Sequence, residues 1–468
     1  MDEKHQFMGE EKITKLLFHF SIPAIIGMLV NALYNVVDRI YIGRIREVGH
    51  LAISGVGITF PITLFAFGFA LLIGLGGATN ISLTLGKKQL KKAERYLGTA
   101  FSFGVITSIV LSVVTLIFID GLLWKMGGSE ATFKYAKDYL YIVSLGFPGT
   151  LIGYIMNTNI RSDGNPRVAM ATLLIGAIIN IILDPILIFY FDMGVKGAGL
   201  ATIISQYISA IWATGYFISK YSGLKLRKKY LKPELHKIKK IVIMGGASFA
   251  LQIGTSLVNY IFNATLKNNG GDMAIGAMAI IQGITMFIVM PLFGINQGLL
   301  PILGYNYGAK LFPRVKEALF KGIFAATIVC VLNFLAIQFL SKYFIIIFND
   351  KPELLNIASR GLRIQTFMLP IIGFQIVSSI YFQAIGKPKL SMFMGLSRQI
   401  IILIPCIIVL AKFFGLNGIW FAAPTSDFIA TVLTFILIKR ELNHLKELEE
   451  KENALKAREE NLKSVSEN

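Results

Sequence analysis

Long apolar runs, each ended by charged residues or by Gly and Pro, divide the chain into segments of membrane-crossing length. Twelve are legible, at about 15–38, 52–82, 97–119, 136–159, 167–190, 196–219, 238–265, 273–305, 317–340, 355–383, 389–411 and 415–438. The runs are continuous rather than alternating, so they predict helices and not the short strands of a β-barrel. The second and eighth, near 30 residues each, are long enough to tilt or to project beyond the bilayer. The expected fold is an all-α polytopic membrane protein with twelve transmembrane helices.

The pattern repeats at an offset near 222 residues. "LGKKQLKKAERYLGTAF" follows the second run and "YGAKLFPRVKEALFKGIF" the eighth, which aligns Gly86 with Gly308. "IRSDGNPRVAM" follows the fourth and "FQAIGKPKLSM" the tenth, which aligns Gly164-Asn165-Pro166 with Gly386-Lys387-Pro388. Gly194 and Gly197 before the sixth run answer Gly415 and Gly418 before the twelfth. Each half holds an even number of spans, so both enter the membrane in the same direction. Two pseudo-symmetric six-helix lobes about an axis along the membrane normal are expected, an arrangement typical of alternating-access transporters. The boundaries follow: an N-terminal segment 1–14, a lobe 15–219, a basic linker 220–237, a lobe 238–438 and a charged tail 439–468.

Composition agrees with this pattern. The chain is 54% hydrophobic and 16% charged, against about 25% charged for ordinary soluble proteins. A net charge of +19 raises nucleic acid as a partner, but its distribution argues against one. Lys and Arg concentrate in "GKKQLKKAERY" between spans two and three and in "KYSGLKLRKKYLKPELHKIKK" between six and seven. Links on the opposite side are poorer in both. The basic side is therefore read as cytoplasmic, with both termini on it, and suits an anionic inner leaflet. Cys330 and Cys406 fall inside apolar runs and read as core residues, not as a disulfide or metal site. No cleavable signal peptide is expected, because no A-x-A-like site follows the first apolar run. The tail has Leu448, Leu455 and Leu462 seven apart and the i,i+4 pairs Glu447–Lys451 and Glu452–Lys456, and it reads as a solvated helix.

Within "NIILDPILIF" stands Asp184, an ionisable group that lipid does not tolerate without a partner or a function. Counted from residue 167 at about 1.5 Å per residue, it lies roughly 25 Å across, in the outer half of the bilayer. Asn180 is one turn earlier on the same face. Pro185 has no N–H and leaves the Ile181 carbonyl without its usual donor. Asp38 near the outer end of span one, and Thr202 about 9 Å inside span six, come to a similar depth. Two carboxylates, an amide and a hydroxyl form an all-oxygen set suited to Na⁺ or to a proton shared between the acids. Asp427 and Arg398 lie about 16 Å and about 13 Å in from the basic side and are expected to form a structural ion pair. The five histidines are scattered at span ends or outside, and no metalloprotease, nucleophile-elbow or phosphate-loop motif stands in a usable context. An enzyme is not expected, and no cofactor; a channel remains open on these residues alone.

The sequence resembles the multidrug and toxic compound extrusion (MATE) transporters over about residues 10–440. The resemblance is carried by "FSIPAIIGMLVNALYNVVDRIYIG", "GLGGATNISLTLGKKQLKKAERYLGTAF", "IRSDGNPRVAMATLLIGAIINIILDPILIF" and "GVKGAGLATIISQ". It implies a V-shaped pair of six-helix lobes in a bacterial cytoplasmic membrane, exporting cationic or amphipathic drugs in exchange for Na⁺ or H⁺, with a monomer as the functional unit. In several members an Asp in span one, an Asn and an Asp in span five and a Thr in span six couple the cation. These match Asp38, Asn180, Asp184 and Thr202, with Tyr139 as a span-four tyrosine beside them. The resemblance also implies a drug cavity walled by apolar and aromatic groups, with Tyr34, Gln282, Met286, Met290 and Gln297 as candidates. Other branches place acids in spans seven and ten. Here span seven has none and span ten offers Arg360, Arg363 and Gln375, so coupling is expected in the N-terminal lobe. A lipid-linked oligosaccharide flippase is the alternative, but it calls for several cations at mid-membrane, where Arg398 is the main one.

Overall fold

The computed structural model describes residues 3–45, 48–347 and 352–466. Among them the chain is almost wholly helical and contains no strand. A short N-terminal helix, Glu3–Glu10, precedes the spans. Spans one to three are Ile13–Gly43, Gly49–Gly86 and Leu90–Ile117. Span four is two helices, Glu130–Leu145 and Phe147–Ser162. Spans five and six are Pro166–Tyr190 and Gly194–Tyr216. Spans seven to nine are Leu235–Gly271, Met273–Gly308 and Phe312–Ile346, and span ten is again two helices, Pro352–Gln365 and Leu369–Ala384. The stretch Pro388–Leu455 holds spans eleven and twelve, separated where Gly415 leaves helical geometry at φ 57°. In the eight longest apolar helical stretches no more than 39% of the most apolar window is buried inside the protein. The remaining apolar surface faces outward, which is stable only against lipid.

Spans four and ten, each expected as one helix, are each two. They bend by 49° and 54°. Pro148 and Pro370 sit in the first turn of each second segment, where the missing N–H and the ring break the ladder. Both arms stay apolar, so hydrophobicity alone does not register the corner. The duplication also reaches the backbone. Lys88 and Lys310, equivalent in the two halves, both adopt φ 59°, a left-handed turn that closes the helix before it. The same three amide bonds frame each turn, ending in Gln89 N to Thr84 O at 3.1 Å and Leu311 N to Asn306 O at 2.9 Å.

The tail corrects another expectation. It continues span twelve as one helix to Ser466, but its first turns are not free in solvent. Leu445 is fully buried. Lys387 Nζ donates to Glu441 at 2.6 Å, Lys316 Nζ to Glu449 at 2.9 Å and Lys310 Nζ to Glu452 at 2.8 Å. Glu452 is engaged by Lys310 of the second half; the Lys456 side chain, its expected i,i+4 partner, lies outside the described residues. Leu455 and Leu462 are exposed. Of the cysteines, Cys330 is buried and Cys406 half-buried, and both are free.

The halves meet at one end of the bundle, the end that carries the linker. Among the described residues, the hydrogen bonds and glycine contacts joining them fall on residues 8–28 and 65–86 of the first half and 240–321 and 386 of the second. Two of the close approaches are symmetric. A Cβ on Gly86 would lie 2.0 Å from the Tyr305 carbonyl oxygen, and one on Gly308 would lie 2.2 Å from that of Leu83. Tyr305 is the repeat equivalent of Leu83. Spans two and eight therefore touch backbone to backbone, which only glycine allows. Phe249 against Phe69, with centroids 4.9 Å apart, and against Phe65, at 6.2 Å, marks the far limit of the seam.

Candidate functional site

Span five brings Asn180 and Asp184 to the interior of the first half, where both are buried. Asn180 Nδ2 donates to Asp184 Oδ1 at 3.4 Å, as the one-turn spacing allows. Immediately after Asp184-Pro185 the helix widens into a π turn, Ile186–Tyr190. Proline cannot donate, so the ladder re-forms with longer steps, such as Phe191 N to Ile186 O at 2.9 Å. Asp38 of span one is buried and faces this pair. Arg39, its neighbour in sequence, turns away and lies over the Phe60 ring at 5.6 Å, and no described residue forms an ion pair with Asp38.

Tyr139 of span four is also buried, and its surroundings are Thr202, Asp38, Tyr34 and Asp184. The structure thus brings Asp38, Asn180, Asp184, Thr202 and Tyr139 into one cluster. Tyr34, expected in the drug cavity, stands in the same cluster, beside Asp38 and Asp184. The hydroxyl of Thr202 donates to its own helix, to Ala198 O at 3.0 Å, and so keeps its lone pairs available. Asp38 Oδ1, Asn180 Oδ1 and Asp184 Oδ2 have no hydrogen-bond partner although each is buried. Buried oxygens left bare are costly. Bare oxygens on two carboxylates and an amide of one buried cluster suit a small hard cation, or a proton shared between the acids. Among the described residues no group of three or more His, Cys, Asp or Glu is placed to hold a metal ion.

The second half is built differently. Arg398 Nε donates to Asp427 Oδ1 at 2.6 Å, and Ser426 Oγ to the Arg398 carbonyl at 2.7 Å. Arg398 sits in a π turn, Ser397–Leu403. With Asp427 buried, losing one partner strands a charge and costs about 3–5 kcal/mol. Arg398→Ala and Asp427→Ala are each expected to cut the yield of folded protein, and the exchange Arg398→Asp with Asp427→Arg to recover part of it. Size-exclusion profiles of the detergent-extracted protein measure this. An exchange no better than the single variants removes the pair from the stabilising contacts.

The cavity candidates are dispersed. Gln282 is exposed and donates to Asn259 Oδ1 at 3.3 Å, and Met286 is exposed one turn further on. Met290 is half-buried. Gln297 lies inside the seam, its amide 3.9 Å from Met28 Sδ. In span ten Arg363 donates to Ser341 Oγ at 2.8 Å, while Gln375 is buried with its carbonyl oxygen bare. Sequence reasoning missed Asp163, the acid of "IRSDGNP". It is buried and accepts from Tyr216 Oη at 2.7 Å, Gly223 N at 2.9 Å and Leu224 N at 2.8 Å. The turn-forming "DGNP" hid it among ordinary loop residues.

The MatE family model matches residues 23–186 and again 247–409, once in each half and together well over half of the chain. The chain belongs to the MatE family. Its two matched MatE segments carry the duplication seen in the sequence. Among curated relatives, the multidrug export protein MepA of Staphylococcus haemolyticus is 27% identical over 444 residues, covering 95% of this chain and 97% of that protein. MepA of Staphylococcus aureus strain MSSA476 is 25% identical over 437 residues, covering 93% and 96%. Among solved structures, an outward-facing multidrug resistance MATE family transporter of the MOP superfamily superposes with a TM-score of 0.90 at 22% identity, over 95% of this chain and 99% of that one. A MATE protein in its bent conformation gives 0.89 at 22% identity, over 96% and 99%. This MatE protein is thus a multi-pass membrane protein with twelve helices in two pseudo-symmetric lobes.

Proposed function

We propose that this protein is a secondary active antiporter that exports cationic or amphipathic drugs in exchange for Na⁺ or H⁺, by alternating access of its two lobes. The observation that carries the reading is the buried Asp38–Asp184 cluster with its three bare oxygens, in a molecule closed at one end only. The basic links and both termini lie at the closed end, which is read as the cytoplasmic face. The conformation is then outward-facing. MepA relatives named for multidrug export supply the substrate class.

The cluster does the coupling as follows. Two carboxylates in a dry site repel, and a cation or proton from outside relieves the repulsion and satisfies the bare oxygens. Loading therefore favours a tighter packing of spans one, five and six. If the drug binds the unloaded packing better, loading releases it outward. A coupling free energy of about 1–3 kcal/mol suffices for about 5- to 150-fold changes in affinity. A flippase for an anionic pyrophosphate is disfavoured, because Arg398 is already engaged by Asp427.

The test is efflux of a cationic dye from cells or inverted vesicles, with a Na⁺ gradient and a pH gradient imposed separately. Export under one of them supports the antiporter and names the ion. Export under neither, by protein shown to be folded, rejects the reading.

A further inference from the structure

The N-terminal helix Glu3–Glu10 belongs by connectivity to the first half, and nothing obliges it to touch the second. It touches both. His5 Nε2 and Asp163 Oδ1 are 2.9 Å apart and buried. Phe7 stacks on Phe20 of span one with centroids 6.2 Å apart. Met8 is fully buried. Its carbonyl accepts from Asn306 Nδ2 at 3.0 Å and Arg314 Nη2 at 3.3 Å, and the Glu11 carbonyl accepts from Arg314 Nη2 at 2.6 Å. Gly9 packs on the Tyr305 ring. Asn306, Arg314 and Tyr305 all belong to the second half, around the turn between spans eight and nine. Arg314 is itself oriented by Nε to Asn306 Oδ1 at 2.9 Å. The carbonyls it holds are the orphans at the C-terminal end of the short helix, where a cation is favoured.

We propose that this helix is a latch across the cytoplasmic face, holding the two lobes together while the protein faces outward. The inference rests on the alternating-access reading. The helix is joined to the first half by the chain itself, which runs directly into span one, and by the contact of His5 with Asp163. Asp163 is fully enclosed and takes donors from His5, Tyr216, Gly223 and Leu224. The attachment to the second half runs through Asn306, half-buried Arg314 and packing of Gly9 on the Tyr305 ring. Covalently continuous with span one and anchored at Asp163, the helix stays with the first lobe and parts from Asn306, Arg314 and Tyr305 when the face opens. The reciprocal brace exists as well. Ahead of span seven, Lys225 N and Arg227 Nε bind the buried Glu94 of span three at 3.2 Å and 2.8 Å, and Ser102 Oγ donates to Leu231 O at 2.5 Å. That segment has to cross between the lobes because it is the linker; the N-terminal helix does not.

The experiment measures the spin–spin distance between cysteines placed at Lys91 and Lys389. Both are exposed at this face, one in each half, and Cys330→Ala with Cys406→Ala is the background. Wild type is expected to give a short distance, with a longer one growing under the active ion gradient. Arg314→Ala, and deletion of residues 2–10, should raise the longer population at least threefold without a gradient. Arg314→Lys, which keeps the charge at the carbonyls, should fall between. Unchanged distributions in folded variants overturn the latch. A wild type that never shows the second distance and exports no dye overturns the transport reading, and the latch with it. Cysteines at Gly9 and Tyr305 joined by a short bifunctional methanethiosulfonate, which spans the room left by the tyrosine ring, keep the test decisive if the variants fail to fold: the cross-link should stop dye export and reductant should restore it. Undiminished export by the cross-linked protein overturns the latch as well.

Discussion

Asp184→Asn should leave a folded protein that no longer exports a cationic dye under either gradient. Asparagine has the size of aspartate and still accepts from Asn180 Nδ2, now 3.4 Å from Asp184 Oδ1. What it removes is the charge that, in the proposed coupling, the cation compensates each cycle. Loss of a coupling of about 1–3 kcal/mol lowers gradient-driven accumulation about 5- to 150-fold. Asp38→Asn should do the same, and the double variant should be little worse than either, because the two acids act on one cation. Thr202→Val should weaken export less, since it removes one neutral oxygen and leaves both carboxylates. Dye efflux from vesicles containing matched amounts of protein measures all four. Normal export by Asp184→Asn under both gradients would make this acid structural and move the search to Asp38 and Asp427.

Gly308→Ala should shift the resting protein away from the outward-facing state. The added carbon would stand 2.2 Å from the Leu83 carbonyl oxygen, and that oxygen belongs to backbone that cannot rotate aside. Overpacking of this kind costs about 1–3 kcal/mol. Only the closed end, cytoplasmic in the proposed orientation, bears this cost, so the open population should rise about 5- to 150-fold. Gly86→Ala is the symmetric case, 2.0 Å from Tyr305 O, and should behave alike. Gly215→Ala has no neighbouring atom to meet and serves as the control. The readout is labelling of a cysteine at Ser82, buried in the seam, by an impermeant thiol reagent added from the cytoplasmic face. Labelling no faster in Gly308→Ala than in the control would show that spans two and eight do not hold the face closed.

The candidate site was legible to different depths. Asn180 and Asp184 follow from helical spacing, and their depth from counting along an apolar run. Tyr34 reads as a cavity residue in sequence because an aromatic in an apolar helix has no marked direction; its place beside Asp38 depends on how span one rotates against spans four and five. Asp163 sits in a turn motif whose composition already explains an Asp, so nothing in the sequence asked for a second role. Gly86 and Gly308 were visible as a repeat, but the contact they permit was not.

The sequence by itself determined the twelve helices, their duplication and the acids buried among them. Those properties are local: in lipid each helix satisfies its own backbone, and a charge in an apolar run is visible without knowing its neighbours. The tertiary structure alone decided which end is closed, where spans four and ten bend, that the tail docks through Glu441, Glu449 and Glu452, and that the N-terminal helix crosses to Arg314. Each of these depends on distances between segments far apart in the chain. Apolar surface meets lipid as readily as it meets another helix, so hydrophobic pattern cannot choose between them; close backbone approach and paired charges do.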